Sequence, residues 1–342
     1  MNNLKPLDSD PTKIAVSRAL TDGAAAETAA ETISKRLETY STQARGAFSA
    51  HTERAIASDT RHWSEWCISR GLTPLPADPS ALSAYIDAQA SDGLRPATIR
   101  RRLTSLSHQH RAAGLPSPAA DNQVHLALRR LGRDHCSRQE QAAPLGHAEV
   151  EAIIRTTGQA LIDHRDIALL LVARDGLLRR SELVALQCDD IEGQDDRSAT
   201  LLVRRSKTDR VGAGAIVYLS PRTMVALTEW VTHAGISTGH LFRSIDQRRR
   251  ISDLPLCPDD VSRIFKKAAA RAGLDATHIS GHSARIGMAQ DLAASGTELA
   301  QLQLAGRWKN PSMPARYAER LAVGRGAVAQ FYQKLQRVMT EG

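Results

Sequence analysis

Aromatic residues are scarce in this chain. Phe, Trp and Tyr make up 4% of its 342 residues, so a buried core must lean on Leu, Ala, Val and Ile. That suits helices packed closely on small side chains. Cysteine is rare as well: Cys67, Cys136, Cys188 and Cys257 lie far apart, with no pair at metal-ligand spacing. Such spacing excludes a cysteine zinc module and offers no disulfide framework. No apolar run approaches the roughly 20 residues of a membrane span, and no secretory pattern opens the sequence. Internal repeats and low-complexity tracts are absent too. These absences predict a cytoplasmic protein with reduced thiols, no metal, no cofactor and no membrane partner.

What is present in excess is positive charge. Lys and Arg number 45 against 37 Asp and Glu, a net +8. Such a balance favours polyanionic partners, although on its own it is a weak sign shared by many surface-binding proteins. The 42% apolar fraction and the length allow two domains with cores of their own.

Residues 1–47 carry little hydrophobic patterning and are expected to be a flexible N-terminal tail, with room for one helix before Tyr40. Residues 48–136 read as a helical bundle domain. Helices are predicted over 50–68, from the Asp78 or Ser80 cap onward, from Pro96 to Ala113 and over 119–135, separated by Pro/Gly turns. Residues 137–144 are polar and predict an exposed linker. The second domain, 145–342, is predicted mostly helical, with helices at 147–157, 161–175, 180–187, 221–233, 258–272, 282–295, 297–304, 311–321 and 325–338. Strands at Ala199–Val203 and Ala215–Leu219 form a small β-hairpin around Lys-Thr-Asp-Arg-Val-Gly-Ala-Gly. The class is therefore mainly α.

The positive charge is clustered. The predicted helix after Pro96 carries Arg100, Arg101, Arg102, His108 and Arg111, with Arg95 just before it; the 258–272 helix shows Arg263, Lys266, Lys267 and Arg271 at i, i+3, i+4, i+8 spacing, hence on one face. Each is also what a solvated helix face looks like. One basic helix per domain points to a clamp on duplex nucleic acid.

Seven further residues carry chemistry. Arg179 and Glu182 stand three apart at a predicted helix start, where a carboxylate can hold a neighbouring cation; taken alone, such pairs are usually surface ion pairs. His282 and Arg285 repeat that spacing after Gly281, at a helix start that favours a phosphate. Lys207 sits in the predicted hairpin loop. Tyr317 follows Trp308 and is flanked by Arg316 and Arg320, an electropositive setting for a phenol.

Arg179, Lys207, His282-x-x-Arg285, Trp308 and Tyr317, in that order, resemble the signature of the tyrosine recombinase (phage integrase) family. Ser280–Arg285 followed by Gly287 and Asp291, Leu177-Leu178-Arg179, Gly306-x-Trp308, Trp63-x-x-Trp66-Cys67, Gly114-Leu115-Pro116 and Arg129-Arg130 are similar to its Cre-like members. The resemblance implies the tyrosine recombinase fold over both domains. It implies a site-specific recombinase that cuts and rejoins DNA through a 3′-phosphotyrosine and a Holliday junction, without metal or ATP. In that reading Arg179, His282 and Arg285 hold the scissile phosphate and Trp308 adds an indole donor. Tyr317 attacks, Lys207 protonates the leaving oxygen, and Glu182 orients the site. It further implies a tetramer on two duplex sites with inverted-repeat arms and nucleoid association; the need for accessory proteins stays open. The apolar stripe of Ala327, Val328, Phe331, Leu335 and Val338 suits a terminal helix docking on a neighbouring protomer or on its own domain. Asp259 and Asp260 depart from the family's base-reading positions, so the target sequence differs. A type IB topoisomerase and a silent DNA-binding regulator are the alternatives.

Binding to duplex DNA is expected to weaken steeply between low and high salt, because each neutralised phosphate releases condensed counterions. A flat affinity across a salt titration would contradict the basic-clamp reading.

Overall fold

The chain falls into two units, Met1–Gln139 and Glu140–Gly342. The computed structural model describes residues 23–134, 141–205, 213–324 and 326–341. No helix among the described residues is long and apolar enough to cross a membrane.

The first unit contains α1 (Gly23–Gln43), α2 (Ala50–Ile68), α3 (Pro79–Ser91), α4 (Pro96–Ala112) and α5 (Asn122–Asp134). Local sequence fixes the helix starts. Ser49 accepts the Thr52 N–H at 3.2 Å ahead of α2, and Asp78 accepts the Ser80 N–H at 3.1 Å ahead of α3. Both α3 and α4 begin on proline, whose missing N–H costs nothing in a first turn. Trp63, Leu82, Ile86, Ile99, Leu106 and Val124 are fully buried in the shared core. Trp63 also donates to the Pro74 carbonyl at 2.8 Å, so its one polar atom is satisfied.

The stretch expected as a loose tail holds a packed helix. Ile33 of α1 is buried with Leu75 and Ala113, Arg36 donates to the Ala113 carbonyl at 3.3 Å, and the Tyr40 hydroxyl meets His108 Nε2 at 3.1 Å. The apolar stripe is narrow, mainly Ile33 and Leu37, which docks a helix without producing a strong periodic signal. Residues 1–22 lie outside the described residues.

The second unit is built around α7 (Leu161–Asp175), buried almost continuously from Ala168 to Arg174. Around it stand α6 (His147–Thr156), the short α8 (Arg180–Leu183), α9 (Pro221–Ala234), α10 (Pro258–Arg271) and α11 (Ser283–Ala294), followed by α12 (Leu299–Ala305), α13 (Ser312–Gly324) and α14 (Ala327–Glu341). An antiparallel sheet runs β1 (Ile191–Gly193), β2 (Ala199–Val203), β3 (Ala215–Leu219). Leu201 faces Val217 across it, and Ala199, Leu201 and Val203 alternate into the core. A separate hairpin joins β4 (Arg243–Ile245) to β5 (Ile251–Pro255).

Two expectations differ from what forms. The helix predicted over 180–187 stops at Leu183, because the following chain becomes extended and pairs elsewhere. Leu186 accepts the Leu241 N–H at 2.9 Å and Cys188 donates to Gly239 at 2.9 Å. Within the predicted linker, residues 137–140 lie outside the described ones, while 141–144 are held to the second unit. Ala143 donates to His278 at 2.9 Å and Gln141 to the Arg316 carbonyl at 3.4 Å.

Immediately after that segment, Leu145 donates to Ser283 at 2.9 Å and packs under α11. A Cβ on Gly287 would collide with the Leu145 backbone. Gly287→Ala is expected to lower stability by roughly 1–3 kcal/mol, seen as a lower urea midpoint. An unchanged midpoint would show that this crossing does not require glycine.

Candidate active site

Segments far apart in the chain meet on one side of the second unit. The turn ending α7 brings Gly176–Arg179, the start of α11 brings His282 and Arg285, the turn after α12 brings Gly306–Trp308, and α13 brings Tyr317.

Arg285 lies at the centre, 3% exposed. Its guanidinium donates to the carbonyls of Leu177 and Gly306, one from each turn. Its Cζ sits 4.5 Å from the centroid of the Trp308 ring, so the π face supports the cation. Trp308 in turn packs against Tyr317, with ring centroids 5.4 Å apart and tilted by 41°. Gly306 has to be small, because a Cβ there would run into the indole of Trp308.

Both turns are strained where they meet Arg285. Leu177 has φ 43° and Arg307 has φ 53°, left-handed values that favour glycine. Strain of this kind persists only where surrounding contacts fix it, and it gathers at functional sites. Here it places the Leu177 carbonyl and the Gly306–Trp308 turn on either side of one guanidinium.

Glu182 forms the second node. Its side chain is buried, and its oxygens take the Arg179 guanidinium at 2.6 Å, the Arg179 N–H at 3.0 Å and Arg307 Nη2 at 2.9 Å. Burial works to raise its pKa, but the hydrogen bonds from Arg179 and the charges of Arg307 and Arg179 outweigh it, so the carboxyl is held below its ordinary value. The carboxylate therefore stabilises the fold at neutral pH, and that contribution is lost as pH falls through the lowered pKa.

His282 caps α11 and keeps an exposed edge. Desolvation by the surrounding protein, then the charges of Arg285, Arg179 and Arg180, push its pKa below the ordinary imidazole value, with Glu182 opposing them. It is neutral at pH 7. Burial and the nearby Arg179 and Arg307 push Arg285 down to about 9, which leaves it cationic at the same pH. Arg180 is tied to Asp259 at 2.7 Å, and Gly281 donates to Ser262 at 2.9 Å, so α10 is bonded to the site's edge.

The structure thus brings Arg179, Glu182, His282, Arg285, Trp308 and Tyr317 together. Among the described residues no carboxylate bridges Arg285. Guanidiniums in excess of carboxylates, beside a phenol and a neutral imidazole, suit an anion better than a cationic or apolar ligand. Lys207 and the side chain of Arg320 lie outside the described residues.

The basic residues separate into kinds. On α10, Lys266 and Lys267 are exposed, Arg263 pairs with Asp260, and Arg271 bonds Asp163 at 2.7 Å and Thr157 at 2.8 Å. On α4, Arg101 pairs with the buried Asp59 and Arg102 donates to Gln89 at 2.9 Å, while Arg100 and Arg111 are exposed, as is Arg95 just before the helix.

Sequence reasoning missed Arg307. It lies between Gly306 and Trp308, both noted for themselves, and its partner Glu182 is 125 positions away, which no local spacing could reveal. It also missed Arg248, Arg249 and Arg250 at the β4–β5 tip, where Asp246 accepts the Arg248 and Arg250 N–H groups at 2.8 and 2.9 Å. Three adjacent arginines were a visible signal.

Residues 144–322 match the model of the Phage integrase family. The chain is 31% identical over 280 residues to the integrase/recombinase XerD homolog of Selenomonas ruminantium, covering 79% of this chain and 81% of that one. It is 27% identical over 309 residues to recombinase Cre of Escherichia phage P1, covering 84% and 90% respectively. In fold it is similar to the XerH site-specific recombinase bound to a palindromic difH substrate, with TM-score 0.64, 15% identity and 93% of each chain covered.

Proposed function

The chain belongs to the phage integrase family of tyrosine recombinases, and on that premise we propose that Tyr317 opens and reseals DNA strands at a specific site, within the cluster centred on Arg285. The observation that carries this reading is the convergence of four remote segments on a carboxylate-poor cluster beside a phenol.

The steps follow from the groups present. Arg179 and Arg285 hold the non-bridging oxygens of the scissile phosphate, and charge developing at phosphorus is stabilised by donors already in place. Neutral His282 donates one N–H to that phosphate. Its other nitrogen can take the phenolic proton. The Tyr317 oxygen bonds to phosphorus, the bond to the 5′ oxygen breaks, and the departing oxygen gains a proton, a role assigned to Lys207. The product is a 3′-phosphotyrosyl ester and a free 5′ hydroxyl. That ester conserves the energy of the broken bond, so reversal with a second duplex needs neither ATP nor metal.

Two exchanges through a Holliday junction require four protomers on two duplexes. α14 supports such an assembly. Val328, Phe331, Tyr332, Leu335 and Met339 leave an apolar face exposed, on the helix directly after the one bearing Tyr317. The side chains of Ala327 and Val338 lie outside the described residues. A neighbouring protomer is the proposed occupant. The DNA partner is a duplex with inverted-repeat arms. Arg95, Arg100, Arg111, Lys266 and Lys267 are proposed to meet its backbone directly. Arg101, Arg102, Arg263 and Arg271 are proposed to do so while anchored by their internal partners. The arginine tip of the β4–β5 hairpin adds a further phosphate contact.

The test uses a duplex recovered by binding selection from a randomised library, nicked so that cleavage is trapped. The wild type is expected to form a covalent protein–DNA band, and Tyr317→Phe to bind without forming it. Arg179→Ala and Arg285→Ala are expected to keep binding and lose cleavage by several orders of magnitude. Binding by the wild type with no adduct would point instead to a silent regulator, and near-normal cleavage by either arginine variant would overturn the assigned roles.

A further inference from the structure

Arg307 has a left-handed backbone, with φ 53°, although it carries a long side chain. Glycine would hold that conformation without strain. What the side chain gains is a set of specific bonds. Nη2 donates to Glu182 Oε2 at 2.9 Å and to the Leu177 carbonyl at 3.3 Å, and Nη1 donates to the Gly176 carbonyl at 2.9 Å. Its Nε is buried with no partner. An ordinary surface arginine would not accept a strained backbone and an unsatisfied buried N–H together.

The acceptors explain the cost. Glu182 is the carboxylate that holds Arg179, through bonds of 2.6 and 3.0 Å. Leu177 supplies a carbonyl that holds Arg285. One guanidinium therefore braces the supports of both proposed phosphate-binding arginines without a hydrogen bond to either.

We propose that Arg307 is a positioning residue for strand cleavage, a staple that fixes the Glu182 carboxylate and the Leu177 carbonyl so that Arg179 and Arg285 stand ready for the scissile phosphate. The proposal rests on the recombinase reading for its role in cleavage, but not for the staple itself. It has a pH consequence. The charged groups facing Glu182 are Arg179 and Arg307, with Arg285 and His282 nearby. Arg307 helps to keep the carboxyl ionised; without it burial gains ground and the Glu182 pKa rises. A protonated Glu182 holds Arg179 poorly. Cleavage by a variant lacking the staple should then fail at a higher pH than in the wild type as the solution is acidified.

Arg307→Gly is the informative change, because it removes the side chain and relieves the backbone strain at once. Thermal melting reports folding, and Arg307→Lys, which keeps a charge but cannot span all three acceptors, serves if the glycine variant does not fold. DNA binding is expected to persist in both. Single-turnover cleavage of the nicked duplex is expected to fall by about 100-fold in Arg307→Gly, the scale of a small misplacement of catalytic groups, and less in Arg307→Lys. The acid limb of the pH–rate profile is expected to move to higher pH. A wild-type rate with an unmoved acid limb would overturn the proposal. A carboxyl carbon-13 NMR titration of Glu182 without DNA separates the two readings. A raised Glu182 pKa in Arg307→Gly supports the staple even if the wild type forms no adduct, which would count against the recombinase reading alone. An unchanged Glu182 titration overturns the staple whatever the enzyme does.

Discussion

Burying a guanidinium that, among the described residues, bonds to no carboxylate costs free energy, because an ion loses its water and gains no directly paired counterion. Arg285 is held in that condition, 3% exposed and bonded to the carbonyls of Leu177 and Gly306 under the face of Trp308. Carbonyl dipoles and a π cloud soften the loss without cancelling the charge. The site is therefore short of an anion by construction, and a phosphodiester is the anion whose geometry suits several convergent donors. The other features of the second unit make sense as means of holding this one cation in place.

Several independent elements serve that end. The strained turns at Leu177 and Arg307 aim backbone at Arg285, and the absence of a Cβ at Gly306 admits the indole beside it. Behind α11, Arg174 donates to the Leu145 carbonyl at 3.0 Å and pairs with Asp291, which locks the helix bearing Arg285 against α7. Glu182 gathers Arg179 and Arg307 on the other flank.

Much of this is legible in the sequence. Helices such as 50–68 and 96–113 follow from apolar groups at helical spacing, and the order of Arg179, Glu182, His282, Arg285, Trp308 and Tyr317 along the chain points to one cluster, while Lys207 lies outside the described residues. What was hidden depended on distance in sequence. Arg307 is recognisable only once Glu182 stands beside it, and the end of α8 at Leu183 is set by pairing with residues 239–241. The short strands β1 and β4 hold too few residues to show alternation. Helix α1 is allowed for only as one helix before Tyr40 within a loose tail, because one buried Ile33 and few companions suffice to dock it. Asp59 and Asp163 changed the meaning of Arg101 and Arg271, since a basic helix face looks the same in sequence whether its arginines meet solvent or buried carboxylates.

The central claim is chemical, and mass spectrometry of the trapped covalent complex tests it most directly. After nuclease and protease digestion, the account predicts a nucleotide joined through its 3′ phosphate to the phenolic oxygen of residue 317, with a 5′ hydroxyl on the released strand. A linkage to any other residue, or through a 5′ phosphate, would contradict it.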